Sequence, residues 1–187
     1  IEGGIGADIM DGGSNGIGGD TLSYASSGTG VTVDLSTNTV SGGDATGDTI
    51  SGFENITGSA FNDTLTGTSD DNEINGASGA DVINGGLGSD QITGGAGLDR
   101  FIFSLGQSGG DVLTDYEAGE TLVTDYDSFL GKGAFTSGGD TELRYFFDGT
   151  NTIFEADTNA DGTADETFTV NGEWAFTGTA AELVAVP

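Results

Sequence analysis

A chain of 187 residues with 31 acidic and 3 basic side chains carries a formal net charge of −28, and it contains neither Cys nor His. That balance excludes nucleic-acid partners, whose phosphates need cations to neutralise them, and it opposes adhesion to an anionic membrane; no apolar run reaches transmembrane length, so no membrane insertion is expected. Without His there is no base for a Ser-His-Asp hydrolase and no zinc-hydrolase centre, and without Cys there is no disulfide framework. Gly is abundant at 36 residues, but a single Pro and the lack of a G-X-Y period rule out collagen. With 34% hydrophobic residues at this charge, the bare chain lies near the disordered class.

Ile1-Glu2 reads as the end of a repeat whose acid lies upstream, so a fragment of a larger protein is expected. Gly3–Asp11 (GGIGADIMD) is a complete glycine-rich nonapeptide, with Gly4 and Gly6 in its turn, Asp8 as its acid and Met10 as its apolar residue. Gly12–Ser23 repeats it with an insertion, and Asp20 and Leu22 hold the acid and apolar positions twelve residues further on. Tyr24–Gly43 breaks the period. Val31, Val33 and Leu35 alternate with polar residues there, which predicts a half-buried strand in an excursion that rejoins the repeat. Asp48-Thr49-Ile50 and Glu54-Asn55-Ile56 echo the acid–x–apolar pattern without the glycines, and are expected to stack without metal.

From Gly58 to Ile102 the chain falls into five rows of nine: GSAFNDTLT, GTSDDNEIN, GASGADVIN, GGLGSDQIT and GGAGLDRFI. The first column is always Gly. The sixth is Asp63, Asn72, Asp81, Asp90 and Asp99, and the eighth is Leu65, Ile74, Ile83, Ile92 and Phe101. A period that keeps both a polar and an apolar column predicts a solenoid, one short unit stacked on the next. The glycines let the backbone turn tightly, and the x-U-x half is a strand burying one side chain. One buried residue cannot offset the ordering entropy of nine. A column of Asp lined by turn carbonyls would repel itself unless a hard cation sits between turns, and all-oxygen ligation suits Ca²⁺.

Beyond Phe103 the period stops. Gly109-Gly110-Asp111-Val112-Leu113 reads as a last turn, with Asp111 in the acid position. Leu143, Tyr145 and Phe147 alternate up to an Asp148-Gly149 hairpin turn, and Ile153, Phe154, Phe168, Val170, Trp174 and Phe176 continue an antiparallel, aromatic-rich tail. A solenoid end exposes unpaired strand edges, so this tail is expected to cap it. Ala180–Val184 is expected to form one helical turn.

The rows resemble the RTX, or hemolysin-type, calcium-binding repeat G-G-x-G-x-D-x-U-x; Gly85–Thr93 and Gly94–Ile102 match it fully when U is allowed to be aromatic. The resemblance implies an all-β fold, a calcium-binding parallel β-roll (a β-solenoid) with an antiparallel β cap. It implies several Ca²⁺ ions held by Asp63, Asp81, Asp90 and Asp99 and by carbonyls near Gly79, Gly86, Gly88, Gly95 and Gly97. Asp8, with Gly4 and Gly6, joins this set, followed by Asp20 and Asp111. Thr114–Thr124 (TDYEAGETLVT) resembles the D-F-x-x-G-D-x-I segment that follows the roll in serralysin-type C-terminal domains, with Glu120 as its second acid. Asp157-Thr158-Asn159-Ala160-Asp161-Gly162-Thr163-Ala164-Asp165 resembles EF-hand-like and integrin-type calcium loops. Asp157, Asn159, Asp161 and Asp165 are therefore further candidate ligands, although an acidic hairpin turn would have the same composition.

The expected organisation is a β-roll over residues 1–103, with the irregular excursion at 24–47, and a capping and secretion-signal region over 104–187. Two stretches fit G-x-S-x-G, Gly12–Gly16 and Gly106–Gly110, but neither lies between a strand and a helix as a nucleophile elbow must, so no catalytic residue is expected within this chain. The resemblance implies a calcium-dependent folding and secretion module of a type I-secreted bacterial exoprotein, with the secretion machinery as a transient partner and a secreted or cell-surface location. The tail Thr179–Pro187 looks like an uncleaved export signal. The alternative is an adhesion or polysaccharide-binding module that contacts glycan or a cell surface through the 24–43 excursion and Tyr116, Tyr126 or Trp174.

Overall fold

The computed structural model describes residues 1–14, 18–107, 109–126, 128–133, 135, 140–179 and 182–186. β1 (Ile9–Asp11) and β2 (Thr21–Ser23) precede a hairpin of β3 (Thr32–Asp34) and β4 (Thr39–Ser41). A 3-10 turn at Gly43–Ala45 follows, the only helical element among the described residues. Then come β5 (Thr49–Ser51), β6 (Asn55–Thr57), β7 (Thr64–Thr66), β8 (Glu73–Asn75), β9 (Val82–Asn84), β10 (Gln91–Thr93), β11 (Arg100–Phe103), β12 (Val112–Leu113) and β13 (Thr121–Thr124). The tail holds β14 (Ser128–Gly131), β15 (Glu142–Phe147), β16 (Asn151–Asp157), β17 (Glu166–Asn171), β18 (Ala175–Thr179) and β19 (Glu182–Val186).

Successive repeats deliver their strands to two sheets in turn. β2, β6, β8, β10 and β12 run parallel in one, and β3, β7, β9, β11 and β13 run parallel in the other, so each repeat pairs with the next but one. This is a β-roll. Its register aligns the apolar columns: Leu22, Ile56, Ile74, Ile92 and Leu113 face Val33, Leu65, Ile83, Phe101 and Leu122, and all are buried. Strand side chains alternate between faces, so a three-residue rung buries only its central side chain.

The tail closes both sheets. β15, β16 and β17 form an antiparallel meander, and β17 runs parallel to β12, so Val170 prolongs one apolar column. β19 lies antiparallel to β13 and pairs with β18, so Leu183 prolongs the other. Phe168 stacks on Phe103 of the roll at 4.2 Å and on Phe154 at 4.5 Å, and Phe176 meets Phe154 and Tyr145 edge-on.

Three expectations need adjustment. Within the 24–43 excursion β3 occupies a rung of the roll, parallel to β7, because Val31, Val33 and Leu35 supply the apolar column there, while β4 turns back antiparallel to β3 at the sheet edge. Glu182–Val184 is strand, not helix, since the open edge of β13 takes it up, while residues 180 and 181 lie outside the described residues. Phe147 does not face the core beside Leu143 and Tyr145; it is exposed just before the hairpin turn.

Phe154→Ala should lower stability by about 3–5 kcal/mol in calcium, as expected for an aromatic removed from a packed core, and denaturant unfolding followed by intrinsic fluorescence will measure it.

Candidate metal site

The turns of Asp81, Asp90 and Asp99 each bury an acid directly above a glycine. A Cβ on Gly76, Gly85 or Gly94 would lie 2.4, 2.0 or 2.5 Å from Oδ2 of Asp81, Asp90 or Asp99, which explains why the first column admits nothing larger. Neighbouring turns approach as closely: a Cβ on Gly97 would lie 1.5 Å from the Gly79 carbonyl oxygen, and one on Gly86 would lie 2.2 Å from that of Thr68. A Cβ on Gly76 would also lie 2.6 Å from the Gly94 carbonyl oxygen, so there a turn carbonyl stands beside the acid.

The other carboxylate oxygen, Oδ1, is committed. The backbone N–H of Asp63 donates to Asp81 Oδ1 and that of Asp81 to Asp99 Oδ1, each at 2.8 Å. On the opposite side the N–H of Asn72 donates to Asp90 Oδ1 and that of Asp90 to Asp111 Oδ1. Two ladders result, each linking an acid to the turn two repeats before it.

What is left over is chemically specific. Oδ2 of Asp8, Asp81, Asp90 and Asp99 and Oε1 of Glu120 are buried without a hydrogen-bond partner. A buried anion with half its lone pairs unused is costly unless a proton or a cation compensates it. Burial pushes the carboxyls of Asp81 and Asp111 up to about 7, Asp90 to about 6 and Glu120 to about 8. Neighbouring acids add to this, Asp63 and Asp99 beside Asp81 and Asp99 beside Glu120. No three acids converge among the described residues, so a cation here would be shared between one carboxylate per turn and backbone carbonyls. An oxygen-only donor set with a buried, donor-free carboxylate oxygen fits Ca²⁺.

Residues 48–83, 66–101 and 75–108 match the profile of the RTX calcium-binding nonapeptide repeat (4 copies). Residues 48–108 are RTX repeats. The repeats of this family bind Ca²⁺ at several sites, and the repeat region is a calcium-binding structural module. RTX proteins are typically secreted, and among the described residues no helix is long and apolar enough to cross a membrane. No curated protein matches the chain significantly.

The RTX geometry sorts the candidate ligands. Asp81, Asp90, Asp99 and Asp111 occupy the ladders, with Gly79, Gly86, Gly88, Gly95 and Gly97 in the turns beside them. Asp8, with Gly4 and Gly6 in its turn, lies one ladder step from Asp48, whose Oδ1 accepts its N–H. Asp20 gives its carbonyl to the amides of Glu54 and Asn55 and its N–H to Glu54 Oε2; part of its turn, residues 15–17, lies outside the described residues, as does Ser108 in the second G-x-S-x-G stretch. Asp63 differs from its column: it accepts from Ser59 N–H, Ser59 Oγ and Val31 N–H, leaving neither oxygen unpartnered.

The Asp157–Asp165 loop does not gather its acids around one point. Asp157 accepts the amides of Asp161 and Gly162, Asp165 those of Thr158 and Asn159, and Asp161 bonds Thr163. Of the aromatic residues weighed as glycan contacts, Tyr116 and Tyr126 are buried, and Trp174 is half-buried and packs edge-on against Tyr116 at 5.1 Å. Two acids missing from the candidate set belong to the site. Glu120 stands against Asp99, and Asp115 accepts the amides of Gly94 and Gly95. The TDYEAGE segment after the repeats was the signal for both.

Two outcomes are expected. Gly97→Ala should cost about 3 kcal/mol or more through the clash with the Gly79 carbonyl, whereas Gly28→Ala, with nothing within 4 Å, should be nearly neutral in the same thermal melt. In chelator, acids whose folded pKa is raised stabilise the fold fully below their unfolded values and lose that contribution as pH rises through the folded ones. In chelator the β signal in far-UV circular dichroism should therefore be greater at pH 5 than at pH 8, and in saturating calcium the order should reverse because protons then compete with the metal.

Proposed function

We propose that this chain is a calcium-dependent folding and secretion module of a type I-secreted bacterial exoprotein, disordered at low calcium and folded outside the cell. The carrying observation is the set of buried carboxylate oxygens at Asp81, Asp90 and Asp99 that no protein donor reaches. At low calcium these acids repel one another, and a chain of net charge −28 stays extended and suited to a narrow channel. Outside the cell Ca²⁺ neutralises the ladders, and its binding energy becomes folding energy. The chain's own residues bind and orient: acids from alternate turns offer one oxygen each, Asp115 pins the amides of Gly94 and Gly95, and the aromatic cap excludes water from the last rungs. The chain itself has no catalytic role in this reading.

Adhesion to glycan is the second reading, and one observation favours it. A cleft of about 500 Å³ lined by Leu35, Ser36, Thr66, Thr68, Asn84 and Gln107 carries no charged side chain on an otherwise acidic protein, as an uncharged polyol would require. Binding to a neutral glycan array that is lost in Asn84→Ala would support it.

Far-UV circular dichroism during a calcium titration tests the first reading. A cooperative coil-to-β transition with calcium and none with magnesium is expected. Asp90→Ala and Asp99→Ala should raise the calcium midpoint about tenfold or more, the loss of one charged ligand, while Glu117→Ala, an exposed acid, should not. Full β structure in chelator would overturn the reading.

A further inference from the structure

The turns of the roll fall into two classes. In the turns leading to Asp81, Asp90 and Asp99 the second residue is left-handed: Ala77 at φ 75°, Gly86 at 103° and Gly95 at 95°. That conformation turns its N–H away from the acid. Ala77 N–H donates to Asn75 Oδ1, Gly86 N–H to Asn84 Oδ1 and Gly95 N–H to Asp115 Oδ2. The acid's Oδ2 is then left without a partner.

In the turns leading to Asp63 and Asn72 the second residue is Ser59 or Thr68, and neither it nor Phe61 or Asp70 two residues on has a positive φ. The N–H now faces the acid position: Ser59 N–H donates to Asp63 Oδ2 at 2.6 Å and Thr68 N–H to Asn72 Oδ1 at 2.6 Å. The hydroxyl completes the closure. Ser59 Oγ donates to Asp63 Oδ1 at 2.8 Å, Asn72 Nδ2 donates to Thr68 Oγ1 at 2.9 Å, and each hydroxyl accepts the amide two residues on. Asp63 thus has three donors where Asp81 has one. The difference is written in one column: Ser59 and Thr68 against Ala77, Gly86 and Gly95.

The structure assigns Ser59 and Thr68 as hydroxyl plugs that take the place of a cation, so that the rungs β7 and β8 form a calcium-independent brace, and along the five consecutive rows the demand for calcium begins at the turn of Ala77. On the N-terminal side Asp48 accepts Asp8 N–H and Tyr24 Oη, and Glu54 accepts Asp20 N–H, so these acids are also satisfied from within the protein. Asp8, whose turn holds the left-handed Gly4, keeps an unpartnered Oδ2 and belongs with the turns that wait for metal. The significance of the brace rests on the calcium-dependent folding proposed above: it divides one transition into a preformed part and a part that waits for metal.

Hydrogen exchange on the full chain tests this directly. In chelator, amides of β7 and β8 should exchange at least about tenfold more slowly than those of β9, β10 and β11, and calcium should bring the latter up to match. The double variant Ser59→Gly, Thr68→Gly removes both hydroxyls and the four hydrogen bonds described for them, and should lower the chelator protection of β7 and β8 about tenfold or more, with protection in saturating calcium kept. Ser59→Thr with Thr68→Ser should preserve it. Equal exchange of the two halves of the wild-type chain in chelator, or a double glycine variant indistinguishable from wild type there, overturns the brace. Calcium leaving β9 to β11 unchanged would instead overturn calcium-dependent folding, and the brace would stand or fall on the chelator data alone.

Discussion

The turns of Asp81, Asp90 and Asp99 each place an acid where only one of its two oxygens is satisfied, by the backbone N–H of the turn two repeats before it. The Oδ1–amide ladder fixes the carboxylates in register along each edge. That order stacks like charges at rung spacing, about 4.8 Å, where an effective dielectric of 20 leaves a repulsion of about 3 kcal/mol per neighbouring pair. The ladder bond that causes the stacking contributes about 1 kcal/mol net. The repulsion wins, so the ladders hold only if something neutralises them. Protons serve at low pH, and between turns rich in carbonyl oxygen a divalent hard cation serves at neutral pH.

The apolar columns cannot substitute for that neutralisation. Burying one Ile or Leu contributes about 1.5–3 kcal/mol per rung, while ordering nine residues costs about 1–2 kcal/mol each. Glycine-rich turns make the deficit worse, because glycine loses the most freedom on folding. The tail works by different means. Its longer strands bury alternate residues, and Phe103, Phe168, Phe154 and Phe176 form one continuous aromatic packing from the last long rung into the meander. The Arg100–Glu182 ion pair spans the same junction, but at the surface, where such pairs contribute little.

Much of this was legible in the sequence, because a strict period makes each column a repeated measurement of one environment. The apolar column of Leu65, Ile74, Ile83, Ile92 and Phe101 follows from nine-residue spacing, and its division between two sheets from the β-roll that the resemblance implies. The Asp column follows equally. Legibility ended where the period did. Alternation at Val31, Val33 and Leu35 marked a strand, but only the pairing of β3 with β7 makes it a rung of the roll. Glu182–Val184 has no periodic neighbour to declare its partner, and the free edge of β13 decided it. Within the repeats, Ser59 and Thr68 stand where the repeat calls for Gly, and the period gives no reason for the replacement. The hydrogen bonds give it a purpose, since a hydroxyl with a turned amide meets the acid as a ligand would.

The distribution of satisfied and unsatisfied acids then sets where calcium acts. Toward the N-terminus, Asp48, Glu54, Asp63 and Asn72 find donors within the protein, with Asp8 Oδ2 the exception; toward the C-terminus, the aromatic tail packs without reference to charge. Between them lie the turns of Asp81, Asp90 and Asp99, each with an oxygen that nothing reaches. A cation bound there joins two bodies already inclined to fold, and each ladder bond it allows fixes the turn that the next cation needs. Coupling of this kind, nearest neighbour to nearest neighbour along a solenoid, makes a response steep with few ions. Glu120 and Asp115 tie its far end to the cap, because one faces Asp99 and the other holds the amides of Gly94 and Gly95. Ordering of the last turn and docking of the tail are therefore one event, driven by the same charge that keeps the metal-free segment open.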